Sequence, residues 1–177
     1  MANKTPILVF DLDDTLYSKQ QVFLTALNKC YPTFTTDINV YQVYQENSEI
    51  AFELFTKGQI TLEENHLSRV EGTLSALGLD SSRESVIRFK ETYQYVMDHI
   101  ELDKDWYHFF DKVSNHSTLV LLTNGPTSHQ SKKITSLRLA KWFDDSRIFI
   151  SETTGVPKPQ AQAFMNVERL FPGVNKN

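Results

Sequence analysis

Two aspartates, Asp11 and Asp13, follow directly after an apolar run that extends from Ile7 to Phe10. A short run of this kind predicts a strand that is buried on both faces of a parallel sheet. Carboxylates are costly to bury without partners, and the end of such a strand opens into the crevice where α/β sheets bind ligands. Alternate residues of an extended chain share a face. The pair could therefore hold a hard cation and divide the work of nucleophile and acid–base catalyst.

Polar residues follow two later predicted strands in a comparable way. Thr123 and Asn124 come after residues 118–122, and Lys158 comes one loop after residues 147–150. The loops at the carboxyl ends of parallel strands converge on one edge of the sheet. Alone, the Thr123 segment is typical of a turn, and Lys158 is typical of a solvated lysine. Together with the two aspartates they form the set that phosphoryl transfer requires: an attacking carboxylate, an acid–base group, a hydroxyl and a lysine.

The elements that must position these residues fall into two kinds. Four amphipathic stretches with helical periodicity lie between residues 18 and 102. Capping boxes are predicted at two of them, where Thr61 is followed by Glu64 and Ser81 by Glu84. The stretches contain no strand pattern that would return the chain to the sheet, which favours a separate helical bundle. The alternative is that the four helices pack directly on the sheet.

The predicted core is α/β and discontinuous, with residues 1–17 and 103–177 around a helical domain over residues 18–102. After the bundle, a helix is expected around Trp106, followed by the strand at residues 118–122. A helix opened by a capping box of Thr127 and Gln130 should continue to about Leu139. The third strand, a loop over residues 151–157 and a last helix with Pro159 in its first turn complete the pattern.

Composition excludes several classes of partner. The 177 residues carry a net charge of −4 and include no basic tract, so neither a nucleic-acid polymer nor an anionic membrane is expected as the main partner. A small phosphorylated metabolite is compatible with this charge. The single Cys30 excludes an internal disulfide, and no signal-peptide pattern precedes the first strand. Both features predict a cytoplasmic protein.

Three segments carry a resemblance to a known family. Asp11-Leu12-Asp13-Asp14-Thr15-Leu16 resembles the DxDxT(L/V) signature of the haloacid dehalogenase-like (HAD) superfamily. Leu121-Leu122-Thr123-Asn124-Gly125 is similar to its second motif, and Gly155-Val156-Pro157-Lys158-Pro159 is similar to its third. The resemblance implies a Rossmann-like three-layer core with a parallel sheet and an inserted helical C1-type cap. Taken together, the sequences of the three motifs most resemble those of the nucleotidase-like branch with this cap. Most members of the superfamily are phosphatases that form an aspartyl-phosphate intermediate.

The resemblance also implies roles for individual residues. Asp11 would be the nucleophile and a metal ligand, while Asp13 would be the acid–base group, with its main-chain carbonyl on the same metal. Thr123, Asn124 and Lys158 would bind phosphate. The implied cofactor is magnesium, and the implied substrate is a nucleotide or another small phosphorylated metabolite.

One departure from the family pattern concerns the end of the chain. The superfamily has a fourth motif, an acidic pair after a further strand, whereas Glu168 is the only acid after Lys158. The resemblance therefore predicts a core truncated at its C-terminus, with the first strand at an edge of the sheet. An open apolar edge predicts self-association. A magnesium site that lacks one ligand predicts weak binding of the ion and little or no turnover by this chain alone.

Two other functions compete with the phosphatase. A 2-haloacid dehalogenase would also attack with Asp11, but on carbon, and its family usually has Tyr at the position of Asp13. The acid at this position therefore favours phosphate. A catalytically silent binding protein that keeps the fold is the second competitor, and the absent fourth motif is its support.

Overall fold

The computed structural model describes residues 5–172. Within this range the chain forms a three-stranded parallel sheet in the order β1 (Ile7–Phe10), β2 (Thr118–Thr123), β3 (Ile148–Ile150). Phe10 lies opposite Leu121, and Thr123 lies opposite Ile150. Parallel strands require long crossover connections, and helices supply them here. The α/β class expected from the sequence is confirmed.

Each face of β2 packs against a different helix of the core. Phe10 and Leu121 point to one face, where Phe10 makes an edge contact with Phe110 at 5.2 Å between ring centroids. Val120 and Leu122 point to the other face, where they pack in a cluster that includes Val167. All residues of β2 after Thr118 are buried. A central strand covered on both faces explains why the sequence of β2 is apolar without alternation.

The chain divides into two compact units. One contains the residues up to Lys19 and those from Asp98 onward, and the other extends from Gln20 to Met97. The sequence places these boundaries at 17/18 and 102/103. The second unit contains α1 (Lys19–Cys30, whose first residue belongs to the core unit), α2 (Val40–Thr56), α3 (Leu62–Ala76) and most of α4 (Arg83–Asp98). Among residues 5–172, no helix combines the length and the apolar character needed to cross a membrane.

The helical unit has a hydrophobic core of its own. Phe23 of α1 is fully buried and stacks on Tyr44 of α2 at 4.6 Å between ring centroids. The core residues come from all four helices: Phe23, Ala26, Leu27, Tyr44, Leu67, Val70, Leu74, Val86 and Phe89. An independent core of this kind is what allows a segment to fold as a separate unit.

Two of the predicted helix starts can be compared directly with the structure. The box at Thr61 and Glu64 is confirmed, with the side chain of each residue bonded to the main chain of the other. The box predicted at Ser81 and Glu84 is wrong. Instead, Asp80 accepts hydrogen bonds from the main-chain N–H of Ser82 (2.9 Å) and from the hydroxyls of Ser82 and Ser85. An Asx turn at Asp80 competes successfully with the predicted box because its carboxylate satisfies three donors.

The core unit contributes α5 (Lys104–Val113), α6 (Thr127–Ser136), α7 (Ser151–Thr154) and α8 (Ala161–Arg169). α6 ends three residues before the predicted Leu139, because Arg138 adopts a left-handed conformation with φ of 53°. The loop expected over residues 151–157 begins with the single turn α7. Pro159 lies before α8 rather than in its first turn.

The outer edge of β1 is apolar. Among the described residues β1 pairs only with β2, and Val9 is 46% exposed. An open groove beside this strand is lined by Phe10, Trp106 and Phe109 together with Asp103 and Asp105. Unpaired strand edges and exposed apolar surface both promote association. These features are consistent with self-association through the edge of β1, which stays a prediction.

A lysine on β1 should test whether the protein self-associates through the edge of this strand. Val9→Lys should lower the mass of the protein in solution, because a charge on an edge strand opposes pairing with a second copy. Ile50→Lys is the matched control, since Ile50 is 59% exposed and lies in the other unit. Sedimentation velocity over a range of concentrations measures the effect. An unchanged mass distribution in Val9→Lys would rule out this edge as the contact.

Candidate active site

The loops after the three strands bring the sequence-predicted site residues together. Lys158 Nζ lies 2.6 Å from Asp11 Oδ1, so the third loop reaches the end of β1. The Asn124 side chain joins the second loop to the third, since its Oδ1 accepts from the Lys158 N–H at 2.8 Å and its Nδ2 donates to the Lys158 carbonyl at 2.9 Å. The convergence that the strand order predicts is therefore present in the fold.

Asp11 is the more accessible of the two acids that the sequence places in the site. Its Oδ1 accepts a hydrogen bond from the Leu12 N–H at 2.7 Å, and Leu12 itself is fully buried. The Asp11 side chain is 42% exposed, compared with 21% for Lys158. The carboxylate is thus fixed at its base by a buried neighbour while part of it remains open to solvent, as an attacking group requires.

Asp13 is held much more tightly. Lys133 Nζ lies 2.6 Å from its Oδ1, the Tyr17 hydroxyl donates to the same oxygen, and Gln130 Nε2 donates to Oδ2 at 2.9 Å. The side chains of Asp13 and Lys133 are only 17% and 14% exposed. Charge-assisted hydrogen bonds at this degree of burial fix the orientation of a carboxylate.

These contacts change the pKa of Asp13. Burial raises the pKa. The hydrogen bonds from Lys133, Tyr17 and Gln130 and the positive charge of Lys133 lower it by more, so the net pKa lies below the ordinary 3.8. A carboxyl whose pKa is lower in the folded state binds fewer protons there than in the unfolded state. Its stabilising contribution is present at neutral pH, and it is lost as the pH falls through the folded-state pKa.

Thr123 and Asn124 occupy different environments. Thr123 is the last residue of β2 and is fully buried, and its Oγ1 accepts a hydrogen bond from Gln130 Nε2 at 2.6 Å. The Asn124 side chain is occupied by the main chain of Lys158. In this arrangement the amide of Asn124 positions the lysine loop. Its predicted contact with phosphate stays a prediction.

The sequence does not single out three residues of the site: Tyr17, Gln130 and Lys133. The spacing of Gln130 from Thr127 predicts a capping box instead. That box is wrong, because α6 has no side-chain cap and the Thr127 N–H is bonded by Glu152 Oε2 at 2.8 Å. The sequence nevertheless contains a pattern that could have indicated both residues. Gln130 and Lys133 are three residues apart, so they share one face of the helix that directly follows the second loop.

The short helix α7 supports the second loop. Ser151 Oγ accepts from the Gly125 N–H at 3.0 Å, and Glu152 accepts from the Thr127 N–H. The hydroxyls of Thr127 and Thr153 lie 3.0 Å apart. The segment after β3 therefore fixes the loop after β2, which in turn places Thr123 beside Gln130.

The donor chemistry of the site suits magnesium only in part. Asp11 offers a carboxylate and Asp13 a main-chain carbonyl, and these are the hard oxygen donors that this ion prefers. In the described part of the chain, no group of three or more His, Cys, Asp or Glu could hold a metal. Magnesium commonly keeps several waters and uses one or two protein ligands. An ion held by Asp11 and Asp13 would reduce the repulsion between the attacking carboxylate and an anionic phosphate.

Comparison with known proteins finds relatives in sequence and in structure. No protein-family model matches the chain. A protein of Bacillus subtilis (strain 168), named "Putative HAD-hydrolase YfnB", is 27% identical over 176 residues, which cover 93% of this chain and 69% of that protein. The magnesium-bound crystal structure of YfnB superposes with a TM-score of 0.63 at 22% identity, covering 98% of this chain and 75% of the other.

Solved structures with other activities share the same fold. The L-2-haloacid dehalogenase from Xanthobacter autotrophicus has a TM-score of 0.64 at 19% identity, covering 98% of this chain and 67% of that enzyme. A structure described as "putative beta-phosphoglucomutase from Thermotoga maritima" has a TM-score of 0.57 at 19% identity, covering 93% of this chain and 70% of the other. The chain is thus similar in sequence to a haloacid dehalogenase-like hydrolase over 93% of its length, and it shares the fold of these solved structures.

Proposed function

We propose that the protein is a magnesium-dependent phosphate-monoester hydrolase that acts through an aspartyl-phosphate intermediate. The observation that carries this proposal is the second carboxylate. Asp13 lies two residues after Asp11 and is fixed by Lys133, Tyr17 and Gln130. Attack on carbon followed by loss of halide requires no proton for the leaving group, whereas an alkoxide leaving from phosphorus does. A largely buried and well-oriented acid two residues after the nucleophile therefore supports phosphate as the substrate.

In the first step an Asp11 oxygen forms a bond to phosphorus, and the bond from phosphorus to the leaving oxygen breaks. Asp13 gives its proton to that oxygen, so that an alcohol departs. Lys158 Nζ lies 2.6 Å from Asp11 Oδ1, and its role in this step is to contact the phosphoryl oxygens where negative charge increases. Asp13 is ionised while Lys133, Tyr17 and Gln130 all donate to it, so before this step it takes up a proton from solvent and releases at least one of these donors.

In the second step the ionised Asp13 removes a proton from water, and the water oxygen attacks phosphorus. The bond between phosphorus and Asp11 breaks, which releases phosphate and restores both carboxyl groups to their starting states. The lowered pKa of Asp13 suits this step, because the ionised form is the one that accepts a proton. One residue thus serves as the acid and then as the base.

The finer assignments belong to the same proposal. The substrate is a nucleotide or another small phosphorylated metabolite, the partner is neither a nucleic-acid polymer nor a membrane, and the location is the cytoplasm. The residues of the three motifs support the substrate class, the net charge of −4 supports the absence of a polymer or membrane partner, and the single Cys30 supports the cytoplasm. Dehalogenation is the second candidate, because dehalogenases with the same fold superpose at TM-scores of 0.64 and 0.67.

One pair of assays separates the candidates. The chain is incubated with p-nitrophenyl phosphate, with and without magnesium, and separately with 2-chloropropionate. Because turnover is expected to be slow, protein is used in excess over substrate. We expect magnesium-dependent release of p-nitrophenol and no release of chloride.

Each other result would replace the proposal with a named alternative. Chloride release without phosphate-ester hydrolysis would identify a dehalogenase. If neither substrate reacted and inorganic phosphate failed to bind, the chain would be a silent protein with this fold. Hydrolysis that persisted in a chelator would overturn the magnesium requirement alone.

A further inference from the structure

The side chain of Gln130 lies at the centre of the site, yet neither step of the proposed reaction uses it. It is 1% exposed, and its Nε2 contacts three acceptors from different parts of the chain. These are Asp13 Oδ2 at 2.9 Å, Thr123 Oγ1 at 2.6 Å and the Asn124 carbonyl at 2.7 Å. One amide thus joins the acid–base carboxylate after β1 to the hydroxyl at the end of β2.

The contact with Thr123 determines the direction of a hydrogen bond. The amide nitrogen shares two hydrogens among these three acceptors and itself accepts none, so the Thr123 hydroxyl cannot donate to it and its oxygen can only accept. The hydroxyl hydrogen of Thr123 therefore points away from Gln130 and remains available to another acceptor. A threonine hydroxyl can otherwise rotate to suit whichever partner is nearest.

We propose that Gln130 is a positioning residue that orients the Thr123 hydroxyl to donate to a phosphoryl oxygen while it holds Asp13 beside the nucleophile. This inference rests on the proposed phosphatase function and names a residue through which the site binds phosphate. The gain is pre-organisation, because a donor that is already oriented loses little entropy when the anion arrives.

The loop before α6 is shaped around this side chain. Gly125 has φ of +138°, a conformation that residues with a Cβ rarely adopt. A Cβ at Gly125 would lie 3.3 Å from Cδ and 3.4 Å from Nε2 of Gln130. The missing side chain at this position therefore leaves the space that the Gln130 amide occupies.

Gln130→Glu tests the proposal because it keeps the shape and leaves at most one hydrogen to donate. Burial and the Asp13 carboxylate, which lies 2.9 Å away in the unmodified chain, keep the introduced carboxyl protonated, and Asp13 accepts a hydrogen bond from that proton. The introduced group then has no donor for Thr123 and accepts from its hydroxyl instead, so that the hydroxyl turns inward and no longer donates to phosphate. We expect inorganic phosphate to bind about 10-fold to 100-fold more weakly by calorimetric titration, as for the loss of one hydrogen bond to a charged group. Gln162→Glu on α8 is the matched control and should bind phosphate as the unmodified chain does.

A double-mutant cycle makes the result specific. In the unmodified background Thr123→Val should weaken phosphate binding by a similar factor, because it removes the donor itself. In the Gln130→Glu background the same change should add little, since the hydroxyl is already turned away. Additive losses would overturn the proposal, because they would show that Gln130 and Thr123 act independently.

Gln130→Met covers the case in which a buried glutamate prevents folding. Methionine has a similar length and accepts no strong hydrogen bond, so the hydroxyl is no longer held in one direction and phosphate should bind more weakly. The cycle is then run in this background, where Thr123→Val should weaken binding by a smaller factor than in the unmodified chain. The same factor in both backgrounds would indicate a packing role for Gln130 and overturn the proposal. If the unmodified chain neither binds phosphate nor hydrolyses its esters, the proposed function fails first. If it does both and the cycle is additive, only the role of Gln130 fails.

Discussion

Asp11→Asn is expected to abolish hydrolysis of p-nitrophenyl phosphate. An amide is a poor nucleophile, and the substitution also removes the charge that pairs with Lys158 at 2.6 Å and that would bind magnesium. The reaction then has no covalent route, so the remaining rate should equal that of buffer alone. Product release under excess protein measures the effect.

Asp14→Asn is the matched control, since it makes the same chemical change three residues away. The Asp14 side chain is 53% exposed and pairs with Lys19 rather than with the site. Its φ of 56° is a conformation that asparagine tolerates well. We expect this variant to keep its activity.

The covalent intermediate offers a second test of Asp11. Beryllium fluoride mimics a phosphoryl group attached to a carboxylate oxygen, so it should bind to the unmodified chain and to Asp14→Asn but not to Asp11→Asn. Fluorine NMR detects the bound species. If Asp11→Asn kept its turnover or still bound beryllium fluoride, another residue would be the nucleophile.

The sequence is sufficient to predict those parts of the fold that depend on hydrophobic pattern. β2 is apolar from Leu119 to Leu122 because both of its faces are covered, and a run of this kind between turn residues is typical of a buried parallel strand. The convergence of Asp11 with Lys158 follows from topology, since parallel strands deliver their loops to one edge. Neither prediction requires knowledge of a side-chain contact.

The sequence is insufficient where a polar side chain has two equally good partners. Gln130 has the right spacing from Thr127 for a capping box, but in the fold it meets Asp13, which is 117 residues away. Ser81 could cap α4, but the carboxylate of Asp80 satisfies more donors nearby. A sequence pattern includes only neighbours along the chain. Which partner a polar side chain bonds in the fold depends instead on which acceptors would otherwise be buried without a hydrogen bond.

Asn124 illustrates the same limit within the site. Its place after β2 predicts a residue that faces the ligand, yet its amide makes two hydrogen bonds to the main chain of Lys158. An amide can donate and accept at once, which matches the main-chain N–H and carbonyl of one residue. The second motif thus contains a residue that aligns a residue of the third motif, and spacing alone does not separate this role from contact with the ligand.

Asp13→Asn should slow hydrolysis by about 10²-fold to 10⁴-fold, as is typical when a general acid–base group is lost. The amide neither carries a proton to the leaving oxygen nor removes one from water. The variant should still bind inorganic phosphate, because Thr123 and Lys158 remain. Phosphate affinity and single-turnover rate, measured on the same preparation, separate a chemical defect from a misfolded site.

The size of the defect should depend on the leaving group. p-Nitrophenolate departs without a proton, whereas the alkoxide of an alkyl phosphate requires one, so the first step should be slowed more for the alkyl ester. To test this dependence, the rate of the first step is measured with p-nitrophenyl phosphate and with an alkyl phosphate. Both rates are compared between the unmodified chain and Asp13→Asn. Lys133 and Gln130 both donate to Asp13, and an asparagine can accept at only one of these sites, so unfolding by denaturant is measured alongside. An equal loss with both esters would show that Asp13 acts through structure or through water attack alone, and the assignment of the acid would then pass to another group.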